Sequence, residues 1–311
     1  MRVGVTGGAG FIGGHVIDVL VERGHEPVIF DRSRDRKTRH PDVDVFFGDA
    51  TSERDVFELA AHVDGIIHLA AVLGTQETMA NPVPAAETNI YGGLHFLRAL
   101  TLYDLPGVYI CVGNHWMLNP YSITKTTTEK FCRMFSIEHA TRVNMIRAVN
   151  AYGPHQRAAA PYASGKVRKI TPAFVCRALT GEPIEVYGDG EQVSDMVWVR
   201  DVALALVIAL ERANEGTVFP DVVEVGPSIS ANVNEVAELV AEYAAAHTGT
   251  KVPIVHAPMR PGEIAGDRVT ADTKTLRHVE LTDADLVSLT DGMRETVDWF
   301  ARNEGVTWSR P

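Results

Sequence analysis

The chain has 311 residues, enough for one large or two modest domains with a sizeable core. Its composition, 45% apolar and 22% charged, reads as ordinary for a soluble protein, and no apolar run is long enough to span a bilayer. A net charge of −11 disfavours nucleic acid as a partner, and no basic-then-apolar leader stands before the first strand, so a cytoplasmic protein is expected.

Arg2 to Thr6 reads as a short apolar strand with β-branched Val3 and Val5. Thr6-Gly7-Gly8-Ala9-Gly10-Phe11-Ile12-Gly13 follows, and Phe11 to Val21 reads as a helix with Ile12, Val16, Val19 and Leu20 on one face. Strand, glycine turn and helix in this order suit a dinucleotide pyrophosphate. Gly7 permits the tight turn, Gly10 lets the backbone approach the phosphates, and Gly13 lets the helix pack on the strand. The helix N-terminus, with Phe11 and Ile12 in its first turn, offers unpaired N–H groups to the anion. The spacing is Gly-x-x-Gly-x-x-Gly, one residue wider at its first gap than the usual fingerprint. A second strand, Pro27 to Phe30, ends at Asp31, whose carboxylate suits ribose hydroxyls and repels a 2′-phosphate. That favours NAD over NADP. Arg32 and Arg34 lie alongside and weigh the other way, as possible partners of such a phosphate.

Further strands are expected at Val43–Phe47, Gly65–Leu69, Gly107–Val112 and Arg142–Ala148, with helices at Pro84–Leu102 and Tyr121–His139. Strands and helices alternate to about Gly153, which implies a parallel sheet with right-handed crossovers: a Rossmann-type doubly wound α/β fold. Ligands then sit beyond the carboxyl ends of the strands, where Asp31, Asp49-Ala50, Leu69-Ala70-Ala71 and Val112-Gly113 all fall. Past Gly153 the spacing loosens, and a smaller, interleaved α/β lobe is expected. The division expected is 1–154 plus about 193–228 for the dinucleotide-binding part, and about 155–192 plus 229–311 for the second lobe. Val197–Arg212 reads again as strand then helix. Between His155 and Lys169 lie Arg157, Lys166, Arg168 and Lys169 with no acidic residue, either a solvated loop or a landing site for an anionic substrate. The three cysteines, Cys111, Cys132 and Cys176, read as reduced core residues without zinc spacing, and the twelve histidines form no ligand cluster, so no metal is expected.

The chemistry-bearing segment is Tyr121-Ser122-Ile123-Thr124-Lys125. A free tyrosine, with a pKa of about 10, is a poor base at neutral pH. Lys125 lies one helical turn on, on the same face. Its cation, together with a positive nicotinamide ring, favours the phenolate that takes a proton from an alcohol as hydride leaves carbon.

In these residues the chain resembles the extended short-chain dehydrogenase/reductases that act on nucleotide sugars, the UDP-galactose 4-epimerase and sugar-dehydratase group. The resemblance runs through Thr6 to Gly13, Phe47-Gly48-Asp49, His68-Leu69-Ala70-Ala71 and Glu87-Thr88-Asn89-Ile90-Tyr91-Gly92. It continues in Pro120 to Lys125, Arg147-Ala148-Val149-Asn150-Ala151-Tyr152-Gly153-Pro154, Val186-Tyr187-Gly188-Asp189-Gly190 and Arg260-Pro261-Gly262-Glu263. It implies NAD held by the first lobe, with Asp49 near the adenine and Asn89 among the cofactor contacts. It implies a nucleoside diphosphate sugar held by the second lobe, with Thr75, Asn150, Lys166, Arg168, Tyr187 and Arg260 as substrate contacts. A homodimer through helices like Pro84–Leu102 and Tyr121–His139 is implied as well.

The chain departs from the family pattern twice. The hydroxyl residue expected after the fifth strand is missing, with Val112 or Gly113 near its place, and the loop to Tyr121 is short. Asn114, His115 and Thr75 are the candidates to orient the substrate instead. Ser194 also stands where the family commonly places an arginine that holds the diphosphate. The reading placed first is C4 epimerisation through a 4-keto intermediate. A 4,6-dehydratase comes second, and a catalytically idle dinucleotide-sensing regulator third. A dehydratase needs an Asp–Glu pair between the fifth strand and the tyrosine, and Cys111 to Lys125 contains neither residue. Glu77 is the nearest carboxylate able to substitute.

Overall fold

The computed structural model describes residues 1–32, 39–156, 169–259 and 266–303, with the backbone alone over 75–77. The chain divides into two compact units. The first takes Met1–Ala148, Val199–Val225 and Asp272–Thr282, and the second takes Val149–Trp198, Gly226–Ala271 and Asp283–Pro311.

In chain order the elements begin with β1 (Arg2–Thr6), α1 (Phe11–Glu22), β2 (Glu26–Asp31), β3 (Asp44–Phe47), α2 (Glu53–Ala60) and β4 (Gly65–His68). Then come α3 (Thr75–Ala80), α4 (Val83–Ala85), a π-helical turn over Ala86–Tyr91, α5 (Gly92–Tyr103), β5 (Gly107–Cys111), α6 (Pro120–Glu138) and β6 (Val143–Ala148). The chain continues with β7 (Asn150–Tyr152), α7 (Ile170–Leu179), β8 (Ile184–Tyr187), β9 (Val193–Ser194), β10 (Met196–Trp198), α8 (Val199–Asn214) and β11 (Val223–Val225). It closes with α9 (Val233–Thr248), β12 (Ile254–Ala257), β13 (Arg268–Val269) and α10 (Leu289–Arg302).

The first unit is built on a seven-stranded sheet in the order β11-β6-β5-β4-β1-β2-β3. All neighbours run parallel. This is the Rossmann-type α/β fold. The strands are apolar on both faces, as a sheet covered by helices on each side demands: Val3, Val5, Ile66, Ile67 and Val108 have no exposed surface. The strand order reverses at β1, which has β2 on one side and β4 on the other. Thr6 stands in register with Phe30 and with His68, so the carboxyl ends of three strands meet there. That reversal is where such sheets bind ligands.

The expected helix Pro84–Leu102 is present as one helical run from α4 through α5, widened into a π turn at Ala86–Tyr91. A π turn leaves carbonyls out of the regular ladder. The Asn89 carbonyl accepts instead from Thr128 Oγ1 on α6, at 2.6 Å. Gly93 lets the two helices come that close, because a Cβ there would run into the Thr128 side chain.

A buried arginine ties the sheet to α6. Arg147 on β6 is 6% exposed. Its Nη2 donates to both oxygens of Glu129 on α6 at 2.9 Å, its Nη1 to Glu224 on β11, and its Nε to the Val112 carbonyl at 3.0 Å. Arg147 and Glu224 stand opposite each other in the β6–β11 register.

The second unit has three short parallel pairs, β7 with β10, β8 with β12 and β9 with β13. Its own core gathers Tyr152, Phe174, Trp198, Val240 and Phe300. The unit boundaries differ from those read off the sequence. Val149–Pro154 falls in the second unit, because β7 pairs with β10 and Tyr152 packs edge-on against Trp198. Asp272–Thr282 falls in the first, where Thr275 Oγ1 accepts from the Glu224 N–H at 2.8 Å. Among the described residues no helix is long and apolar enough to cross a membrane.

Removing one member of a buried ion cluster leaves the others uncompensated, at about 3–5 kcal/mol. Arg147→Met is therefore expected to destabilise the first unit by that amount, read as a fall in urea midpoint. Adding Glu129→Gln and Glu224→Gln should recover part of the loss. A single variant as stable as the parent would show that the cluster contributes nothing.

Candidate functional site

The glycine turn has the geometry that its spacing implies. Gly7 adopts φ +70°, its N–H donates to the Phe30 carbonyl at 2.8 Å, and Gly10 N–H returns to the Gly7 carbonyl at 2.9 Å. A Cβ at Gly13 would strike the Gly7 carbonyl, and one at Gly8 would stand 2.8 Å from the Val5 carbonyl. The N-cap of α1 is Gly10, without a side-chain cap, and the first turn, with Phe11 and Ile12, carries no acidic residue. The first N–H groups of a helix have no intrahelical partner. Here they face outward beside backbone that nothing but glycine could form, which suits a pyrophosphate.

Asp31 ends β2 and is 8% exposed. Arg32 is exposed, with Nη1 at 4.0 Å from Asp49 Oδ2. Arg39 is likewise committed, to Asp18 on α1, whose other oxygen lies 3.2 Å from His40 Nε2. Arg34 lies outside the described residues. Asp49 Oδ1 accepts from the N–H and the hydroxyl of Thr51, both at 2.9 Å, and the Ala50 carbonyl accepts from His95.

At the end of β4 a hydrogen-bond network gathers on Thr6. Its Oγ1 accepts from the N–H groups of Leu69 and Ala70 at 3.1 and 3.2 Å. The same hydroxyl is hydrogen-bonded to His68 Nδ1 at 2.9 Å. Burial, with Lys125 a lesser cause, lowers the pKa of His68 to about 3, so the ring stays neutral. It stacks on Phe96 at 4.8 Å and on Tyr109 at 6.0 Å. Leu69-Ala70-Ala71 leave this point as partly exposed backbone.

Tyr121 and Lys125 lie one turn apart at the start of α6. Asn119 sets that start, its Oδ1 accepting the Ser122 N–H at 2.9 Å, with Pro120 in the first turn. Lys125 is 2% exposed, and its Nζ is buried without a hydrogen-bond partner, 4.0 Å over the centre of the Tyr109 ring. Burial lowers its pKa to about 8, against the opposing influence of Cys111, Cys132 and Glu129. Tyr121 is half-buried, and burial raises its phenol to about 12. The expectation joined Lys125 to a positive nicotinamide ring; in the ligand-free protein burial alone sets the direction, and the phenol keeps its proton. A buried ammonium with three unused donors fits a ligand that brings hydroxyls, as the ribose of a dinucleotide does.

Asn89, expected among the cofactor contacts, braces the protein. Its Oδ1 accepts from Val72 N–H at 2.8 Å, and its amide donates to the Val72 carbonyl at 3.1 Å and to Thr124 Oγ1 at 2.9 Å. Both amide hydrogens are thereby used, holding the loop after β4 against α6. The π turn is what aims Asn89 at both.

The place of the missing hydroxyl is occupied by buried Val112 and Gly113. Asn114 Oδ1 accepts from Ser122 Oγ at 3.3 Å, and its amide points at Met117 Sδ. His115 folds back on the Gly113 carbonyl and packs edge-on against Trp116 at 5.0 Å. Both side chains are engaged within the loop. The side chains of Thr75 and Glu77 lie outside the described residues.

In the second unit, Asn150 on β7 has its amide 3.3 Å from Met196 Sδ. Tyr187 ends β8, its carbonyl accepting from Gln192 at 3.0 Å. Ser194 pairs with Val269. Arg157, Lys166, Arg168 and Arg260 lie outside the described residues. Sequence reasoning quoted His68 and Arg147 within motifs without giving either a role, and it missed Tyr109 altogether.

The model of the NAD dependent epimerase/dehydratase family matches residues 3–226. Among solved structures, the UDP-glucose 4-epimerase of Thermotoga maritima, determined with UDP-glucose, is 26% identical over 97% of this chain and 99% of its own, with a TM-score of 0.84. The UDP-glucose 4-epimerase of Thermus thermophilus, determined with NAD, is 27% identical over 98% of this chain and 100% of its own, with a TM-score of 0.81. By sequence, a UDP-N-acetyl-alpha-D-glucosaminuronate decarboxylase of Bacillus cytotoxicus is 26% identical over 96% of this chain and 98% of its own.

The contact of Gly13 with the Gly7 carbonyl makes a direct prediction. Overpacking costs about 1–3 kcal/mol, so Gly13→Val is expected to weaken NAD binding by about ten- to a hundredfold in calorimetry. Unchanged affinity would show that the turn is not the cofactor's cradle.

Proposed function

The chain belongs to the NAD-dependent epimerase/dehydratase family, and on that premise we propose that it inverts C4 of a nucleoside diphosphate sugar through a 4-keto intermediate. One observation carries the choice of epimerase. The stretch that leads from β5 to Lys125 presents the Tyr121–Lys125 pair and contains no Asp or Glu, so it has no acid to expel an oxygen from C6.

The α1 N-terminus and the turn Gly7, Gly10 and Gly13 hold the pyrophosphate. Asp31 accepts from the adenosine ribose, with Arg32 turned to Asp49 and Arg39 to Asp18 instead of to a 2′-phosphate. Lys125 donates to the nicotinamide ribose. Asn150, Tyr187, Lys166, Arg168 and Arg260 are the substrate's contacts. Bound NAD supplies a reversible hydride acceptor and, when oxidised, a positive ring charge that favours the phenolate. Tyr121 takes the proton from the C4 hydroxyl and returns it after the ketone has turned. Gly113 carries no side chain to obstruct that turn.

We place the reaction in the cytoplasm, a setting that suits three buried free thiols. The working form is a homodimer. Leu102 on α5 and Ile137 on α6 are 65% and 76% exposed, an apolar surface that a second copy would cover.

Tyr121→Phe is expected to reduce turnover about a hundred- to ten-thousand-fold while NAD still binds. Product from a panel of UDP-, GDP- and dTDP-sugars run in deuterated water should keep its mass and its carbon-bound hydrogens. Loss of water with solvent deuterium at C5 would make the enzyme a dehydratase, and no turnover at all would make it a regulator. Sedimentation should give twice the chain mass, and Ile137→Glu should halve it. A monomeric parent would remove the dimer.

A further inference from the structure

The least usual feature of the first unit is a lysine ammonium with nothing anionic beside it. Lys125 Nζ is buried and has no hydrogen-bond partner. The carboxylate one turn further along α6, Glu129, has both oxygens bound by Arg147. What the ammonium does meet is an aromatic face, the Tyr109 ring on β5, at 4.0 Å from its centre. The same tyrosine holds the lysine a second time, because its hydroxyl donates to the Lys125 backbone carbonyl at 3.2 Å. Tyr109 has no exposed surface, and it stacks with His68 at an interplanar angle of 16°. His68 stacks in turn on Phe96 at 15°. The platform is thus fixed from below and grips Lys125 at both ends.

We propose that Tyr109 is a positioning residue whose ring is the resident partner of the Lys125 ammonium, keeping it charged and aimed where the neighbouring carboxylate, Glu129, is bound by Arg147. The inference rests on Tyr121 and Lys125 being the reacting pair. A cation taken out of water loses its hydration, and the negative face of an aromatic ring restores part of that loss. The arrangement also explains why His68 must be neutral. Protonated, it would set a second positive charge against Lys125, and burial holds it neutral. The groups bearing on Lys125 are His68 from β4, Tyr109 and Cys111 from β5, Tyr121, Glu129 and Cys132 from α6, and, through Glu129, Arg147 from β6. Burial pushes both thiols up, so they stay neutral near pH 8, as Tyr121 does. The ring, 4.0 Å from the ammonium, then stabilises the charge at close range. The sign follows: with the ring present the ammonium persists to higher pH, and without it the proton leaves at lower pH.

The test reads Lys125 itself. Protein labelled with carbon-13 at lysine Cε is titrated by NMR in its full-length, cofactor-free form, and Lys125→Arg identifies the resonance. Tyr109→Phe keeps the face and removes the hydroxyl, so its midpoint should stay within a few tenths of a unit of the parent's. Tyr109→Leu keeps apolar bulk and removes the face. Its midpoint should fall by about one unit or more, the size of a desolvated cation–π contact. A graded series avoids any folding loss in the Leu variant. Phenylalanine, difluorophenylalanine and trifluorophenylalanine at position 109 share a shape while the ring face weakens, and the midpoint should fall in that order. Equal midpoints across the fluorinated series, or a Phe variant that falls as far as Leu, would overturn the proposal. Because the readout is the lysine's own titration, it stands even if every nucleotide sugar proves inert and the epimerase reading fails. If turnover is found, the alkaline limb of its pH profile should move down with the same midpoints, a shift that a merely structural loss would not produce.

Discussion

A positive charge buried without a counter-ion is expensive, and the first unit is arranged around keeping one. An isolated ammonium out of water normally sheds its proton or acquires a carboxylate. Lys125 has neither escape in full. Its pKa falls only to about 8, so at neutral pH it is still mainly charged. Glu129, the carboxylate best placed to neutralise it, is turned to Arg147, which Glu224 also claims from β11. His68, at the end of β4, is kept neutral by burial. Each of these contacts makes sense as a way of leaving the lysine's three donors uncommitted for a ligand that brings its own hydroxyls.

Arg147 has a second consequence. Its Nε binds the Val112 carbonyl at 3.0 Å, so the short loop after β5 is anchored at its first residue by the same side chain that holds Glu129 away from Lys125. With Asn119 capping α6 at the other end, the loop that lacks the family's hydroxyl is nonetheless pinned at both ends. Loss of a side chain at Gly113 therefore does not entail loss of backbone order around it. It removes a donor and leaves space.

Much of this was legible in the sequence, and the limits have physical causes. Strand, glycine turn and helix over Arg2–Glu22 are set by local rules, namely β-branched residues, turn geometry and a 3.6-residue period, and they fall where expected. The position of Tyr121 and Lys125 on one helical face is equally local. The π turn at Ala86–Tyr91 is not, because it depends on how closely Gly93 meets Thr128 on another helix. Tyr109 read as one more apolar strand residue, since nothing in its neighbourhood signals that a lysine sixteen positions later will lie over it. In the second unit, β9 and β13 are two residues each, too short for any alternation to appear. Spacing also cannot foresee burial, which is why the raised phenol of the ligand-free protein was not legible in it.

That buried phenol matters for how the site works. With Tyr121 raised to about 12, the ligand-free protein holds a phenol at neutral pH, a weak base that leaves stray alcohols alone. The half-buried position that raises it is also the one that makes any added positive charge count heavily, because electrostatic interactions strengthen as water is excluded. A lysine held charged but unpartnered, and a tyrosine held neutral but easily shifted, form a pair whose reactivity depends on what binds next to them. In such a pair, proton transfer is tied to cofactor occupancy by the dielectric of the site, and no moving part is required.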